Sequence, residues 1–316
     1  MTVDLEYKEI YYYREKMQFI YAWERAFNRK LQVETADWLF GLNSRNRIFV
    51  ASTSSGNIAG GYCLIEQTAF HNGRAVRSLL CNNVFTVPEY RSFNIFVRLG
   101  RFALNLVREK DTIGLGFPNE LALGGHKRVG WEFCNPIPFF ERSPSTNEVD
   151  PSYSFVDVFS EDLFEIADFC ERVKNKYEFF IIKDIEYLSW RYFQRPQLQR
   201  KYFMKILKKD DRILGYAVLS HYSLENNLHI VDIASQDDFE FEEMLLRIYN
   251  IGFYLKVKLI NIWGSPGFVP ILEKQNFILS KNKTHLIVKD LSLDQQKGVS
   301  QSLRHHHLVL GDNDVF

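Results

Sequence analysis

The feature that most constrains the fold of this sequence is an order of predicted secondary-structure elements that occurs twice. Hydrophobic periodicity predicts, in each half, a strand, two helices, three antiparallel strands, a helix, a strand, a short helix and closing strands. Residues 117–131 align without a gap on residues 263–277, near the end of each predicted repeat. The sequence therefore predicts two tandem copies of one α/β (α+β) fold, each a mixed, mostly antiparallel sheet flanked by helices.

A polar, proline-containing segment lies between the two predicted repeats. Residues 141–151 read Glu-Arg-Ser-Pro-Ser-Thr-Asn-Glu-Val-Asp-Pro, a composition typical of linkers. We predict a first domain over residues 1–143 and a second over residues 152–316. With 316 residues, of which 46% are hydrophobic, the chain has enough apolar material for two cores.

Composition excludes several classes of partner. Lys plus Arg and Asp plus Glu both number 39, so there is no global field that favours nucleic acid or an anionic membrane. The four cysteines lack zinc-ligand spacing, and neighbouring residues of His305–His306–His307 would point to opposite faces of a strand, so we predict no metal site. Without a basic, then apolar N-terminal segment or a long apolar run, we expect a soluble, cytoplasmic protein of unknown oligomeric state.

A junction between a strand and a helix is the most informative local feature. Residues 84–100 read as a strand that ends at Pro88, then Arg91, then an amphipathic helix. The unpaired N–H groups and positive dipole end of a helix N-terminus attract anions, so this junction predicts a phosphate site. The alternative is an ordinary strand-to-helix turn with Ser92 as the N-cap residue.

This junction resembles the acyl-coenzyme A motif of the GCN5-related N-acetyltransferase (GNAT) superfamily, and the repeat resembles tandem GNAT-fold proteins of bacterial surface-polysaccharide pathways. In the family a strand leads to Thr or His near Pro, then Arg/Gln-x-x-Gly-x-Gly/Ala and a helix. Thr86, Pro88 and Arg91 match, and Asn94 and Phe96 stand at the two Gly positions. Asn is the best non-Gly residue for a left-handed conformation, although it is bulkier.

The resemblance implies that acetyl-coenzyme A or another acyl-coenzyme A is the co-substrate. Strand residues would hold the pantetheine arm, and the start of the helix would hold the diphosphate. The cofactor-binding residues implied in this way are Val84, Phe85, Thr86, Val87, Arg91, Ser92, Phe93, Asn94, Ile95 and Phe96, together with Asn119 and Ala122 of a second segment.

That second segment matches the next motif of the family. Asn119, Ala122, Gly130 and Trp131 fall on the family's Asn, Ala, Gly and Phe positions, and His126 stands where the family has Tyr. The family's Tyr serves as general acid towards the leaving thiolate, which implies the same role for His126. The alternative is a surface histidine beside two basic residues.

Candidates for the base and for the acceptor site are less specific. Glu66 is the only carboxylate within a long apolar strand of the first domain, so it is our candidate general base; the alternative is a solvent-facing strand residue. Asn82 and Asn83 directly precede the junction, where polar groups would bind an acceptor.

Two phrases of the second domain resemble the polysaccharide-type relatives. One is Tyr-Leu-Ser-Trp-Arg-Tyr at residues 187–192, in which Trp190 and Arg191 would bind a sugar or nucleotide; the alternative is a packed helix with an exposed arginine. The other is the Gly-Asp-x-Asp ending, in which Asp312 and Asp314 would reach an amine and are alternative base candidates.

The second domain lacks the chemistry of the first. Its equivalent of the junction, residues 235–240, carries three carboxylates that would repel a diphosphate, so we predict that it binds no acyl-coenzyme A. The predicted function is N-acyltransfer from acyl-coenzyme A to a small-molecule amine, with an amino sugar as the first acceptor to test. The alternatives are a non-catalytic GNAT-fold binding protein and a transferase that takes aminoacyl or acyl groups from another donor, such as charged tRNA.

Overall fold

The protein comprises two compact units. The computed structural model describes residues 4–42, 45–196, 200–293, 303 and 305–313. Unit 1 comprises residues 1–69, 75–135 and 285–301, and unit 2 comprises residues 70–74, 136–284 and 302–316. These limits differ from the predicted domains, 1–143 and 152–316, because residues 70–74 and 136–143 belong to unit 2 and residues 285–301 belong to unit 1.

The helices and strands follow the predicted order, except that the second repeat has a short strand, Phe179–Ile181, between its two first helices that was not predicted. They are β1 (Leu5–Ile10), α1 (Tyr12–Phe27), α2 (Val33–Ala36), β2 (Asn46–Thr53), β3 (Ile58–His71), β4 (Arg74–Thr86), α3 (Ile95–Leu106), β5 (Thr112–Gly116), α4 (Glu120–Val129), β6 (Glu132–Phe133), β7 (Ile137–Arg142), β8 (Ser154–Asp157), α5 (Leu163–Val173), β9 (Phe179–Ile181), α6 (Ile185–Leu188), β10 (Arg200–Lys209), β11 (Arg212–Tyr222), β12 (Asn227–Ser235), α7 (Asp238–Tyr254), β13 (Leu259–Trp263), α8 (Val269–Lys274), β14 (Ile278–Thr284), β15 (Ile287–Asp290) and β16 (His306–His307). Within the described residues, no helix is long and apolar enough to cross a membrane.

The sheet of unit 1 has the strand order β1-β2-β3-β4-β5-β15-β6. Its first strands pair antiparallel, β4 and β5 pair parallel, and β15 lies antiparallel between β5 and β6. The strand that completes this sheet beyond β5 therefore comes from the far end of the sequence. The strand that follows β6 in the sequence, β7, joins the sheet of unit 2 instead.

The sheet of unit 2 has the equivalent order, β14-β7-β13-β12-β11-β10-β8. Here β12 and β13 pair parallel, and β7 lies antiparallel between β13 and β14. Each unit thus takes one strand from the other repeat's part of the sequence, β15 for unit 1 and β7 for unit 2. In unit 2, the short β16 also pairs parallel with β9.

Helix α3 shows why the sequence folds this way around the junction. Its apolar residues recur at helical spacing, and Ile95, Leu99 and Ala103 are buried in the same core as Phe49 and Leu79 of the sheet. The arginines on its other face, Arg98 and Arg101, are exposed. Packing of this stripe on the sheet fixes where the helix begins, next to the end of β4.

Candidate active site

The predicted phosphate-binding junction is a 3-10 turn followed by one left-handed residue. Strand β4 ends at Thr86, residues 88–93 form the 3-10 turn, and α3 begins at Ile95. Asn94 between them has φ 54° and ψ 32°, so it takes the left-handed conformation that the family's Gly permits. The alternative with Ser92 as N-cap is wrong, because Ser92 lies inside the 3-10 turn and Asn94 occupies the cap position.

The side chain of Asn94, the N-cap residue of α3, makes no capping hydrogen bond. The first hydrogen bond of this helix runs from the N–H of Arg98 to the carbonyl of Asn94, at 3.2 Å, so the amides of residues 95–97 precede it. The side-chain oxygen of Asn94 instead accepts a hydrogen bond from Nη1 of Arg128, at 3.3 Å. The helix start therefore presents amides to an anion while an arginine lies beside it.

Arg91 lies exposed on the same turn. Its Nη2 donates a 3.4 Å hydrogen bond to the carbonyl of Ala26, at the end of α1. A bond of that length is weak and easily exchanged for a stronger, charge-assisted bond to a phosphate oxygen. Ser92 is also exposed, and Phe93 and Phe96 are half-buried, so the polar side chains of the turn face solvent.

Strands β4 and β5 separate just before the junction. Their parallel ladder runs from the pair Arg77–Thr112 to the pair Cys81–Gly116, where β5 ends, but β4 continues to Thr86. The last residues of β4 therefore extend beyond β5, which leaves an edge of main-chain groups to which an extended ligand can bind.

Side chains of this extended segment alternate between the core and the other face. Phe85 and Val87 are buried, and the ring of Phe85 packs edge-on against Phe19 at 5.6 Å. Val84 and Thr86 are half-buried, and Oγ1 of Thr86 has no hydrogen-bond partner in the described part of the chain. Thr86 thus offers a donor and acceptor on the face opposite Phe85.

Of the two residues predicted to bind the acceptor substrate, Asn82 and Asn83, one already has a hydrogen-bond partner within the protein. The side-chain oxygen of Asn83 accepts a 2.9 Å hydrogen bond from Nε1 of Trp23, and its backbone is left-handed with φ 44°. Asn82 is only 5% exposed, and its Oδ1 has no partner among the described residues. Asn82 is therefore the stronger acceptor-binding candidate of the pair.

The second motif forms the start and body of α4. Asn119 is the N-cap residue, and its side-chain oxygen accepts a 3.1 Å hydrogen bond from the N–H of Ala122. This cap fixes the position from which α4 begins. Both residues lie at the surface of unit 1, with Asn119 exposed and Ala122 half-buried.

His126 is buried, so the alternative of a surface histidine is wrong. The side chain is 4% exposed and stands edge-on to Phe96, at 5.0 Å, and to Trp131, at 5.8 Å. Burial lowers its pKa to about 4, so the imidazole is neutral at pH 7. Its Nδ1 has no hydrogen-bond partner in the described part of the chain.

Trp131 and its hydrogen-bond partner Tyr62 connect His126 to the point where β4 and β5 separate. Nε1 of Trp131 donates a 3.0 Å hydrogen bond to the hydroxyl of Tyr62, which is fully buried. Burial, followed by the neighbouring Cys81 thiol, raises the pKa of Tyr62 well above its usual value. Cys81 is the last β4 residue of the ladder.

Glu66 lies away from these residues. Its carboxylate accepts a 2.5 Å hydrogen bond from Nη2 of Arg77, whose Nη1 is 3.1 Å from the carboxylate of Glu109. Arg77 begins the β4–β5 ladder and Cys81 ends it, a separation of about 13 Å along the strand. Because an ion pair holds Glu66 at the far end of the ladder, Glu66 is not placed to act as the base.

Trp190, Arg191 and Asp312 do not form an acceptor surface. They are buried in unit 2, where the two phrases that resemble the polysaccharide-type relatives bind each other. Nε of Arg191 donates to the carbonyl of Gly311 at 2.9 Å, and its Nη2 donates to the carbonyl of Asn313. Asp314 lies outside the described residues.

A buried ion pair also binds the last described residues of the chain, 305–313, which we call the tail. Lys183 is 0% exposed, pairs with Asp312 and lies 3.8 Å from Asp232. Burial lowers the pKa of Lys183, but Asp312, Tyr187 and Asp232 outweigh it, and the net shift is upward. The hydroxyls of Tyr192 and Tyr216 donate to the two oxygens of Asp232, at 2.7 and 3.0 Å. These buried polar contacts attach residues 311–313 to the core of unit 2, so their role is structural.

Comparisons with known proteins bear on both the sequence and the fold. Residues 13–134 match the sequence model described as an acetyltransferase (GNAT) domain. No curated protein matches the sequence significantly.

Among solved structures, a GCN5-related N-acetyltransferase from Anabaena variabilis is similar with a TM-score of 0.72 and 13% identity, over 90% of this chain and 73% of that one. A GCN5-related N-acetyltransferase from Kribbella flavida has a TM-score of 0.66 and 15% identity, over 91% and 71%. A tandem GNAT protein from the clavulanic acid biosynthesis pathway has a TM-score of 0.60 and 12% identity, over 91% and 99%.

The chain has the tandem GNAT fold. The predicted fold class is thereby confirmed. At these identities the structural matches establish the fold alone. Within the GNAT fold of unit 1, the matched domain contains the junction, the end of β4 and the whole of α4.

Sequence reasoning missed two residues of this site. Arg128 is one of the two basic residues beside His126 in the sequence, and Tyr62 lies in the predicted strand β3 without a motif around it. The hydrogen bond from Arg128 to Asn94 joins residues 34 positions apart, so helical periodicity within α4 does not reveal it. The bond from Trp131 to Tyr62 joins residues 69 positions apart, so no local pattern reveals it.

Proposed function

We propose that unit 1 binds acyl-coenzyme A and transfers its acyl group, acetyl or a related group, to a small-molecule amine. The observation that carries this proposal is the start of α3, which the side chain of Asn94 does not cap, directly after a strand edge that extends beyond its partner. The match of residues 13–134 to an acetyltransferase domain supports the same reaction class.

In this proposal the amides at the start of α3 bind the diphosphate. Arg91 and Arg128 neutralise its charge, and Asn94 supplies the left-handed turn that brings the chain close to it. The main chain of residues 84–87 holds the pantetheine arm and polarises the thioester carbonyl. Asn119 and Ala122 set the position of α4 beside that arm.

The reaction is direct attack of the amine on the thioester. The nitrogen lone pair forms a bond to the carbonyl carbon, the carbon–sulfur bond breaks, and the thiolate of coenzyme A leaves. The amine loses one proton and the thiolate gains one, so the transfer balances without a co-reactant. Because the pKa of His126 is about 4, its role is to donate a hydrogen bond from neutral imidazole, not to supply a proton from imidazolium.

The two alternative functions, a non-catalytic binding protein and a transferase with another acyl donor, predict different results in the same experiments. A binding protein without catalysis would respond to acyl-coenzyme A but transfer nothing to any amine. A transferase that uses charged tRNA would need a basic face, and the 39 basic and 39 acidic residues give no net charge to supply one. An amino sugar is the first acceptor to test, on resemblance to the polysaccharide-type relatives.

The decisive experiment is titration of the purified chain with acetyl-coenzyme A by calorimetry, with thermal unfolding measured in parallel. We expect binding that stabilises the protein by about 2.7 kcal/mol at a ligand concentration of 100 Kd. Arg91→Glu should abolish it, whereas Arg212→Glu, an equal charge reversal at the exposed β10–β11 turn, should leave it unchanged. No response in the native protein would refute the proposal.

A further inference from the structure

Unit 2 contains a cavity at the place equivalent to the candidate active site of unit 1. It lies where β12 ends and α7 begins, and it has a volume of about 170 Å³. The parallel ladder of β12 and β13 ends at the pair His229–Asn261, while β12 continues to Ser235, so a strand edge is again extended. A cavity of about 150 Å³ is known to hold one benzene ring, so this cavity can hold one ring with a short substituent.

Aromatic rings form much of the cavity wall. Phe241 and Phe268 stack on each other with ring centroids 4.6 Å apart, and Tyr177 lines the cavity with them. Phe241 and Phe268 are buried in the core of unit 2, which fixes their orientation. A flat apolar group is the shape that such a wall accommodates.

A buried histidine of the tail supplies a polar atom that lacks a partner. His306 lines the cavity and is 8% exposed. Burial, followed by the neighbouring His307 and His305, lowers its pKa to about 4, so the ring is neutral. Its Nδ1 has no hydrogen-bond partner within the described part of the chain. Such an atom costs stability unless a ligand or water satisfies it.

The charges around the cavity favour a cation. Asp238 lines the cavity and is exposed, and Asp237 next to it accepts hydrogen bonds from the amides of Phe239 and Glu240. The opposite charge, Lys176, donates to the carbonyls of Ser235 and Gln236, at 3.3 and 2.9 Å. Lys176 is thus bound to main-chain oxygens, whereas the exposed carboxylate of Asp238 is the negative group that the lining presents to a ligand, and it attracts a cation.

We propose that this cavity binds a small organic cation, a primary amine carried on one flat apolar ring. The ring packs against Phe241 and Phe268, and the ammonium group donates to the carboxylate of Asp238. An ammonium has three N–H donors, so it also satisfies Nδ1 of His306 when that imidazole carries its proton on Nε2. The site is independent of acyl-coenzyme A binding by unit 1.

The test uses the full chain and three probes of one shape: phenethylamine, phenethyl alcohol and 3-phenylpropionate. Calorimetry and saturation-transfer NMR should show that the amine binds, that the neutral alcohol binds at least tenfold more weakly, and that the acid does not bind. Equal binding of the amine and the alcohol, or no binding of the amine, would overturn the proposal.

Variants assign the binding to this cavity. Asp238→Asn, an exposed and conservative change, and His306→Phe should each weaken phenethylamine binding at least tenfold. Asp210→Asn, at the exposed β10–β11 turn, is the matched control and should leave it unchanged. Arg91→Glu should also leave it unchanged, which separates this site from the one in unit 1. If Asp238→Asn binds the amine as well as the native chain, the proposal is wrong.

Discussion

The buried imidazole of His126 predicts a specific loss of stability in acid. Its pKa falls from 6.5 to about 4 on folding because burial disfavours the charged ring. A group whose pKa is lowered on folding stabilises the native state fully above its unfolded pKa. That contribution is lost as the pH falls from 6.5 towards 4, where the unfolded chain binds a proton that the folded chain does not.

The magnitude follows from the two pKa values. Between pH 7 and pH 5, protonation of His126 in the unfolded chain lowers the free energy of unfolding by about 2 kcal/mol. Below pH 4 the loss reaches its full value of about 3.4 kcal/mol. His126→Phe and His126→Gln both remove this term, so each should reduce the change in unfolding free energy between pH 7 and pH 5 by about 2 kcal/mol.

The assay is urea unfolding of the native chain and both variants at pH 5, 6 and 7, followed by tryptophan fluorescence. Other histidines, including the buried His306, titrate in all three proteins and cancel in the comparison. NMR of the imidazole signals gives the pKa directly, with His126 assigned by its absence in the variants. A His126 signal that titrates near pH 6.5 in the folded chain, or equal pH dependence of all three proteins, would refute the reasoning.

Three further predictions concern single contacts. Lys183→Met leaves Asp232 and Asp312 buried without their cation, so it should lower the unfolding free energy of unit 2 by about 3–5 kcal/mol in urea unfolding, and a loss below about 1 kcal/mol would contradict the attachment of the tail. Asp237→Ala removes the cap of α7 and should cost about 1 kcal/mol in the same assay. Asn94→Gly keeps the left-handed turn and removes its side chain, so calorimetry should show tighter binding of acetyl-coenzyme A with a stability change under about 1 kcal/mol; weaker binding would mean that the contact with Arg128 matters more than access.

Sequence patterns predicted the structural features that depend on residues close together in the chain. The apolar stripe of α3 gave the helix, and the identity of Asn94 gave its left-handed backbone. The exchange of β7 and β15 was missed because the partners of a strand lie far away in the sequence, and alternation of apolar residues does not specify which sheet a strand joins. The periodicity of apolar residues shows which face of a helix or strand is buried. Which strands pair with each other depends on the whole fold.

The same distinction explains the errors at the candidate site. In the sequence, Arg191 and Asp312 are charged residues of two separate phrases, and each phrase alone predicts a ligand-binding group. In the fold the two phrases, about 120 residues apart, satisfy each other's buried polar groups. Glu66 was likewise read alone, although Arg77, eleven positions along the chain, is its partner. A charged residue in a sequence predicts that its side chain has a partner. Only the fold shows whether that partner is another residue of the protein or a ligand.

In the two proposals, the starts of α3 and α7 show how two copies of one backbone arrangement would acquire opposite ligand preferences. At α7 the carboxylate of Asp237 already binds the amides of Phe239 and Glu240, so an incoming phosphate would have to displace it. A phosphate charge about 4 Å from one carboxylate costs about 4 kcal/mol near a protein surface, roughly a thousandfold in affinity. At α3 the side chain of Asn94 does not cap the amides, and the charge of Arg128 would attract a phosphate instead of repelling it. The choice between anion and cation therefore depends on a few side chains at the helix start, while the extended strand edge is common to both units.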